Sequence, residues 1–234
     1  MSLIALHGPL YLASSNPGKL REFSAAALAR GVRVEPIPGF KSLPACIEDG
    51  NSFQENACKK ALHYSAFVSG AVFADDSGIC VDALGGAPGI FSARFAGPDA
   101  TDDENNRNLL DELRRRERAS AKSVPACPQM PCQERAAGRE AEIRASLRAA
   151  HYVCVIALAR SGRILCVTEG RAEGVILDEP RGAGGFGYDP YFFYPPLGKT
   201  FAELSPEEKY AVSHRGKAFR QLLDLIESPT AKSS

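Results

Sequence analysis

Apolar residues in this chain occur either in short continuous runs or at every third or fourth position, which is typical of buried strands and amphipathic helices in alternation. The first run predicts a strand over residues 9–14. The next stretch predicts a helix that opens at Asn16 and extends to about Arg30, because Pro and Gly follow Asn16 and Gly31 is a helix-ending residue.

The next two elements bring polar residues close to a buried strand. Ser52 and Glu55 form a capping box for a second helix, and helical spacing leaves Lys60 on the flank of its apolar face. Residues 72–74 then predict a short buried strand that ends at two aspartates.

The second half of the chain continues the alternation. Thr101 and Glu104 form another capping box, and residues 152–168 predict a hairpin that turns at Ser161 and Gly162. Ser205, followed by proline and glutamate, begins the last predicted helix. Strands and helices that alternate in this way predict an α/β fold.

Residues 114–148 do not follow the pattern and are rich in Arg, Ala and Pro. We interpret them as an insertion of uncertain order within a single domain that spans residues 1–234. The arginines at 114, 115, 116 and 118 could form a nucleic-acid patch, but no aromatic residues lie among them. We therefore favour a solvated helix end.

Composition narrows the functional classes. The chain has 28 basic and 28 acidic residues, so no overall field attracts nucleic acid or an anionic membrane. The apolar runs are too short to span a bilayer, and the N-terminus lacks the pattern of a signal peptide. Seven cysteines without a CxxC pair favour reduced thiols. These features predict a cytoplasmic protein with no nucleic-acid or membrane partner.

Four polar or glycine-rich segments carry candidate chemistry. The first, SSNPGK at residues 14–19, connects the first strand to its helix. Backbone N–H groups at the helix start, together with Lys19, would bind a phosphate. Small polar residues also favour such a turn for conformational reasons alone, so this segment leaves both interpretations open. It is not a Walker A loop, because the spacing differs.

The second segment, ADDSG at residues 74–78, has two adjacent carboxylates that packing explains poorly. Successive side chains of a strand point to opposite faces, so one of Asp75 and Asp76 should be functional and the other structural. Few protein carboxylates, completed by water and phosphates, suit Mg²⁺, and Glu48 is a plausible second ligand. A turn in which an aspartate caps the next segment is the alternative.

The third segment, GFGYD at residues 185–189, belongs to a formal GxGxxG match that starts at Gly182. A dinucleotide fingerprint must open a helix, whereas a proline and an aromatic run follow here. The segment is better interpreted as a loop that presents Phe186 or Tyr188 for stacking on a base. Aromatic core packing near tight turns is the alternative. The fourth segment, SHRG at residues 213–216, supplies paired donors near the C-terminus.

These segments, in the longer forms SNPGKLREF, ADDSGICVDALGGAPGIFSARFAG, GGFGYDPYF and KTFAELSPEEKYAVSHRGKA, resemble the inosine triphosphate pyrophosphatase family, also described as dITP/XTP pyrophosphatases. The match covers most of the chain in the family's order. The resemblance implies a mixed-sheet α/β fold with two lobes around a central substrate cleft, a homodimer, and hydrolysis of a purine nucleoside triphosphate to monophosphate and pyrophosphate. It also implies one or more Mg²⁺ ions per subunit.

By position, the resemblance implies that Asp76 is the catalytic carboxylate, as metal ligand or general base, and that Glu48 is a metal ligand. Residues 14–19 and Lys60 would bind the phosphates, Ser77 would contact substrate, and the remaining positions would surround the base. The implied substrate-binding residues are Ser14, Ser15, Asn16, Pro17, Gly18, Lys19, Lys60, Ser77, Phe186, Gly187, Tyr188, Asp189, Lys209, His214 and Arg215. Departures are Ser15, where Gly or Asn is frequent, and the long insertion.

The chemistry of the residues agrees with this function. Hydrolysis at the α-phosphorus needs a polarised phosphorus, an activated water and a neutralised leaving group, and Mg²⁺ with Lys19 and Lys60 would serve the first and third. A nearby lysine and metal favour ionised Asp76, which suits a ligand better than a base. Donors from His214 or Arg215 would select a C6 oxygen over the amino group of adenine.

Two other functions remain open from the sequence. One is a pyrophosphatase for another modified nucleotide, such as a modified pyrimidine. The other is a non-catalytic nucleotide-binding module, which would tolerate loss of Asp76.

Overall fold

The computed structural model describes residues 4–6, 8–122 and 146–227, which fall into two compact units. The first unit comprises Met1–Ser77, Val153–Arg171 and Pro206–Ser234, and the second comprises Gly78–Tyr152 and Ala172–Ser205. Strands and helices alternate in the described chain, so the predicted α/β class is confirmed. The single domain of residues 1–234 stays a prediction.

The strands are β1 (Ile4–Ala5), β2 (Leu10–Leu12), β3 (Val34–Pro36), β4 (Ala71–Val81), β5 (Ala149–Arg160), β6 (Arg163–Ile176), β7 (Phe192–Tyr194), β8 (Lys199–Thr200) and β9 (Ile226–Glu227). The helices that position the site are α1 (Pro17–Leu28), α2 (Phe53–Ser65), α3 (Asp102–Lys122), α4 (Pro206–Val212) and α5 (His214–Asp224). In the described part of the chain, no helix has both the length and the apolar character needed to cross a membrane.

The sheet is mixed. In the first unit β2 pairs in parallel with both β3 and β4, so that Leu10 lies opposite Val34 on one side and Ala71 on the other. In the second unit β7 runs antiparallel to β6 and to β8. Helices α1 and α5 pack on one face of the first unit's strands, where the fully buried rings of Phe23 and Phe219 both contact Phe73.

An aromatic trio centres this core. Phe23 of α1 lies with its ring centroid 5.1 Å from that of Phe73 on β4 and 4.7 Å from that of Phe219 on α5. Edge-to-face and tilted geometries at these separations are favourable for aromatic rings. The trio therefore fixes two helices against the strand that carries the two aspartates.

The predicted first helix and its cap are confirmed. The side chain of Asn16 accepts hydrogen bonds from the backbone N–H groups of Gly18 (2.8 Å) and Lys19 (3.2 Å). The chain leaves α1 through Gly31, whose φ of 69° is costly for residues with a side chain. The predicted hairpin is also confirmed, because Ser161 and Gly162, both with positive φ, join β5 to β6.

The prediction that a strand ends at the two aspartates is wrong. Strand β4 continues through Asp75 and Asp76 to Val81, and the apolar side chains of Ile79 and Val81 are fully buried. Two carboxylates can lie within a buried strand here because cationic side chains from other elements pair with them. Turn formation therefore does not explain these residues.

The boundary predicted for the insertion at residue 114 is also shifted. Helix α3 continues to Lys122, and its exposed Arg114 and Arg115 pair with acidic residues one turn earlier, as a solvated helix face does. Residues 123–145 of the predicted insertion, which contain Pro125, Pro128, Pro131, Cys127 and Cys132, lie outside the described residues.

The guanidinium of Arg148 connects two elements of the second unit. It is 4% exposed, and it donates to the carboxylates of Glu117 (2.6 Å) and Asp178 (2.8 Å) and to the carbonyl of Ile176 (3.2 Å). Because a planar guanidinium presents several donors in fixed directions, one side chain joins α3 to the end of β6 within the second unit.

The last predicted helix is divided into two. Helix α4 ends at Val212, and Ser213 begins α5 by accepting a hydrogen bond from the N–H of Gly216 (3.1 Å). Strand β6 supports this second helix start at Gly170, where a Cβ would lie 2.2 Å from the carbonyl oxygen of His214. The close contact requires glycine and places His214 and Arg215 directly against the sheet.

Candidate active site

Asp75 is the most enclosed ionisable group of the first unit's polar cluster. Its side chain is 1% exposed, and its Oδ2 lies 2.8 Å from the ammonium of Lys19 and 3.7 Å from Nε of Arg215. The hydroxyl of Ser77 also lies 3.4 Å from that oxygen. The other oxygen, Oδ1, is buried and has no hydrogen-bond partner in the described part of the chain. The charge of Asp75 therefore depends on Lys19 and Arg215.

The electrostatics of Asp75 reflect this pairing. Burial alone would raise the pKa of the carboxyl, but the charges of Lys19, Arg215 and Lys60 lower the pKa to about 2. Asp75 is thus ionised throughout the neutral range. Of the two aspartates it is the one whose contacts suit a structural role.

Asp76 contacts a different set of groups, as expected for the opposite face of a strand. Its Oδ1 lies 3.1 Å from the ammonium of Lys60, and the same ammonium lies 2.9 Å from Oε2 of Glu48. Asn56, one helical turn before Lys60 on α2, places its amide nitrogen 3.4 Å from Oδ2 of Asp76. The structure therefore brings the predicted residues Glu48, Lys60 and Asp76 together.

The pKa values of Asp76 and Lys60 are both raised. Burial raises the pKa of Asp76 above its ordinary value, and the opposing charge of Lys60 offsets this only in part. For Lys60, burial lowers the pKa, but Asp76, Asp75 and Glu48 outweigh it and raise the pKa to about 12. A carboxylate of raised pKa suits a general base. The preference for a ligand role at Asp76 includes a bound metal and stays a prediction.

The donor set near Lys60 fits a hard divalent cation. The carboxylates of Glu48 and Asp76 both contact the ammonium of Lys60, so they lie side by side. Glu48 is the more exposed of the two. In the described part of the chain, no three His, Cys, Asp or Glu side chains are grouped as metal ligands. Two carboxylates completed by water and phosphate oxygens are an arrangement that Mg²⁺ adopts. The residues present therefore fit the predicted ion.

The turn before α1 is the segment that the sequence predicts to bind phosphate. Ser15, Asn16 and Pro17 are exposed, and the side chain of Asn16 accepts hydrogen bonds from the N–H groups of Gly18 and Lys19 at the start of a twelve-residue helix. Lys19 is in the first turn, with its ammonium held by Asp75. The structure thus places a positive helix end and a lysine next to each other, which favours an anion.

Arg215 and Lys209 both contact the carboxylate of Glu22, a residue that was not predicted to belong to the site. Glu22 of α1 accepts a hydrogen bond from Nη1 of Arg215 at 2.8 Å and lies 3.5 Å from the ammonium of Lys209. Arg215 also places Nη2 3.4 Å from the hydroxyl of Ser77. The pKa of His214 is well below its ordinary value because of burial and the charges of Arg215 and Lys209. His214 is therefore neutral near pH 7.

The loop Phe186–Asp189 belongs to the second unit. Phe186 is 36% exposed, whereas Tyr188 is 4% exposed and donates its hydroxyl to the carbonyl of Ser92 (2.8 Å). The carboxylate of Asp189, 3% exposed, accepts a hydrogen bond from the N–H of Phe186 (2.9 Å). Of the two rings proposed for stacking, Phe186 is the accessible one, and Asp189 shapes the loop from inside.

Two residues that contact the cluster have a sequence signal that was not used. Glu22 lies three residues after Lys19, and Asn56 lies four residues before Lys60, so each shares a helix face with a predicted lysine. Asn56 is 2% exposed and also accepts from the N–H of Gly50, at 2.8 Å. A polar residue that shares a helix face with a candidate lysine is the signal that identifies both positions.

Comparison with known proteins adds an independent result. The sequence model of the Ham1 family matches residues 10–141 and 132–225. A dITP/XTP pyrophosphatase from Geobacillus kaustophilus is 42% identical over 213 residues, which cover 91% of each chain. A HAM1 protein from Coxiella burnetii has a similar structure, with a TM-score of 0.73, 36% identity, and 93% of this chain and 97% of that chain covered. For the Ham1 protein of Staphylococcus aureus the TM-score is 0.71 and the identity 33%, over 93% of this chain and 97% of that chain.

The pairing of Asp75 predicts a pH dependence of stability. Because its pKa falls from 3.8 to about 2 on folding, its contribution is complete above the unfolded value and is lost as the pH falls through the folded value. We expect Asp75→Asn to be less stable than wild type near neutral pH. The difference in the free energy of unfolding should shrink by about 1.5 kcal/mol between about pH 5 and about pH 2.5. Urea unfolding at each pH measures it.

The matched control for this experiment is Asp99→Asn, which removes an exposed carboxylate of the second unit. Near neutral pH, its effect on the free energy of unfolding should be smaller than that of Asp75→Asn, because surface substitutions usually change stability by no more than about 0.5 kcal/mol. A pH-independent difference for Asp75→Asn would contradict the assigned pairing.

Proposed function

The chain belongs to the Ham1 family, and we propose that it hydrolyses aberrant purine nucleoside triphosphates, namely dITP, ITP, XTP and dXTP, to the monophosphate and pyrophosphate. The relative of 42% identity is named for dITP and XTP, and the substrate assignment to this chain follows that name. The observation that carries the proposal is the cluster of Asp76, Glu48 and Lys60 in the same unit as the cationic start of α1. Removal of deaminated purine nucleotides would keep them out of DNA and RNA.

The phosphates would bind to the turn at residues 14–19 and to two lysines. Lys19 and Lys60 are both held in place by carboxylates, at 2.8 Å from Asp75 and 3.1 Å from Asp76. Lysines fixed in this way lose little rotamer freedom on binding an anion and can stabilise the charge that develops on a pyrophosphate leaving group.

Glu48 and Asp76 would hold Mg²⁺, which when bound polarises the phosphate oxygens and lowers the pKa of a coordinated water. Asp76, with its pKa raised by burial, can accept a proton from the attacking water, while Lys60 remains charged. Asn56 orients Asp76 through its amide nitrogen at 3.4 Å. Hydrolysis at the α-phosphorus accounts for the release of pyrophosphate in one step.

Base selection would depend on donors directed at the C6 oxygen of hypoxanthine or xanthine. Arg215 stays charged, because Glu22 and Asp75 oppose the effect of burial and raise its pKa above the ordinary value. Neutral His214 retains one ring N–H as a donor. The amino group of adenine would face these donors with a donor of its own, and such mismatches reject a substrate strongly. Phe186 offers a ring for stacking.

Other aspects of the proposal concern the protein's state in the cell. Cys46, Cys58, Cys154 and Cys166 are free thiols, and reduced thiols support the cytoplasmic location that we propose. The homodimer implied by the family resemblance remains part of the proposal.

The direct test is the product formed from each nucleotide. We expect wild-type protein with Mg²⁺ to release pyrophosphate, and not orthophosphate, from dITP and XTP, and to turn over dGTP and dATP at least about a hundredfold more slowly. EDTA should abolish the activity and added Mg²⁺ should restore it. Turnover of a modified pyrimidine triphosphate in preference to dITP would support the alternative substrate, and orthophosphate release would contradict the proposal.

Asp76→Asn should lower kcat for dITP by at least about a thousandfold, because a metal ligand and proton acceptor is replaced by a neutral amide of the same shape. Asp49→Asn is the control, since Asp49 is an exposed carboxylate of the same loop as Glu48 and pairs with Lys59 at 2.6 Å. Its kcat should stay within about twofold of wild type. Retention of near-native turnover by folded Asp76→Asn would remove Asp76 from the mechanism.

Arg215→Ala should reduce base selectivity. We expect the ratio of kcat/KM for dITP to that for dATP to fall by about tenfold or more, since the donor that favours an oxygen at C6 is lost. Arg220→Ala is the control, because Arg220 is on the same helix and donates to the carbonyl of Tyr210 at 2.7 Å. An unchanged dITP to dATP ratio in folded Arg215→Ala would remove Arg215 from base recognition.

A further inference from the structure

Gly187, in the loop Phe186–Asp189, has both of its backbone polar groups hydrogen-bonded. Its backbone N–H donates to the carboxylate of Asp102 at 2.7 Å, and its carbonyl accepts a hydrogen bond from the amide nitrogen of Asn106 at 3.0 Å. Both polar groups of one residue are therefore held by side chains from a single distant element, helix α3. Its φ of 62° is in the left-handed region, which glycine adopts without strain.

The two side chains reach Gly187 because of their spacing. Asp102 and Asn106 are four residues apart on α3, so they lie one above the other on the same helix face. Asp102 is in the first turn of the helix, where a carboxylate is favoured by the helix dipole. The pair lies more than eighty residues earlier in the chain than the loop it holds.

Asn106 is a costly residue to keep if its role is packing. It is 5% exposed, and its Oδ1 is buried without a hydrogen-bond partner in the described part of the chain. A leucine would fill a similar volume without burying a polar amide. The contact that Asn106 provides is the hydrogen bond to Gly187, so the contact itself explains the residue.

The hydrogen bonds from Asp102 and Asn106 to Gly187, which we call the Gly187 clamp, also restrict the neighbouring residue Phe186. The carboxylate of Asp189 accepts a hydrogen bond from the N–H of Phe186, and both the N–H and the carbonyl of Gly187 are hydrogen-bonded to α3. The backbone that sets the direction of the Phe186 side chain is therefore fixed. The following residue, Tyr188, is anchored in turn by its hydroxyl on Ser92. Phe186 is the side chain of this loop that is left accessible, at 36% exposure.

We propose that Asp102 and Asn106 are positioning residues that hold Gly187 so that Phe186 is preorganised for stacking on the purine base. The inference rests on the proposed function, because it takes the loop to be the base-binding element. Preorganisation of this kind acts on binding, since an untied loop must be ordered each time a nucleotide binds. The phosphate-binding residues are unaffected by it.

The test compares Asp102→Ala with Asp103→Ala. Both remove an exposed carboxylate from the first turn of α3, and Asp102 is the one that binds Gly187. We expect Asp102→Ala to raise KM for dITP about fivefold with kcat within about twofold of wild type, and Asp103→Ala to change neither by more than about twofold. Inhibition by inorganic triphosphate, which has no base, should be the same in all three proteins.

Two further measurements separate positioning from a general structural effect. Amide hydrogen exchange of the peptide around Gly187 should be faster in Asp102→Ala than in Asp103→Ala. In a Phe186→Ala background, Asp102→Ala should no longer raise KM, because the side chain it positions is absent. Asn106→Ala, with Asn108→Ala as its helix-matched control, repeats the comparison from the second contact.

The outcomes distinguish this inference from the proposed function. If wild type turns over no purine nucleotide but exchange at Gly187 still depends on Asp102, the function is contradicted and the clamp is supported. If dITP is hydrolysed but Asp102→Ala matches Asp103→Ala in both KM and exchange, the clamp is contradicted and the function stands. An effect of Asp102→Ala that persists undiminished in the Phe186→Ala background overturns the positioning role.

Discussion

The buried charge of Asp75 is the constraint on which the first unit depends. A carboxylate removed from water is stable only when cations replace its hydration, and here Lys19 of α1 and Arg215 of α5 do so. Arg215 is itself buried and forms an ion pair with Glu22 of α1. One ionic network therefore connects two helices and a strand. The same three elements share an aromatic core that contains Phe23, Phe73 and Phe219. The residues proposed to bind the nucleotide are the same ones that satisfy this charge.

The neighbouring carboxylate shows how one strand can provide two different environments. Asp75 and Asp76 are adjacent in sequence, yet the pKa of the first is lowered and that of the second is raised. Burial acts on both, and the balance is decided by the number of cations each one faces. Pairs of titratable groups whose environments move their pKa values apart are typical of acid–base sites. A strand that passes two carboxylates to opposite faces achieves this without any special backbone geometry.

Local signals predicted much of the structure, because capping and turn chemistry act within a few residues. Asn16, Ser52 and Thr101 begin helices as expected, and the hairpin turns at Ser161 and Gly162. The predicted form of strand β4 ended too early, at its two aspartates, because the cations that pair with them lie far away in sequence. Glu22 and Asn56 share helix faces with predicted lysines, but their contacts with Arg215 and Asp76, like the contact of Asp102 with Gly187, join residues far apart in sequence and could not be predicted. The break at Ser213 was not predicted, because Ser205, eight residues before Ser213, already provided strong helix-start signals.

The contacts of Arg148 have a consequence for which substitutions the second unit can accept. Its nearly buried guanidinium joins Glu117 of α3 to Asp178, which follows the end of β6. Removal of one partner from a buried ion pair is strongly destabilising, so these three positions are constrained as a set although they are distant in sequence. Gly170 of the first unit is constrained by space instead of charge, because a Cβ there would lie 2.2 Å from the carbonyl oxygen of His214.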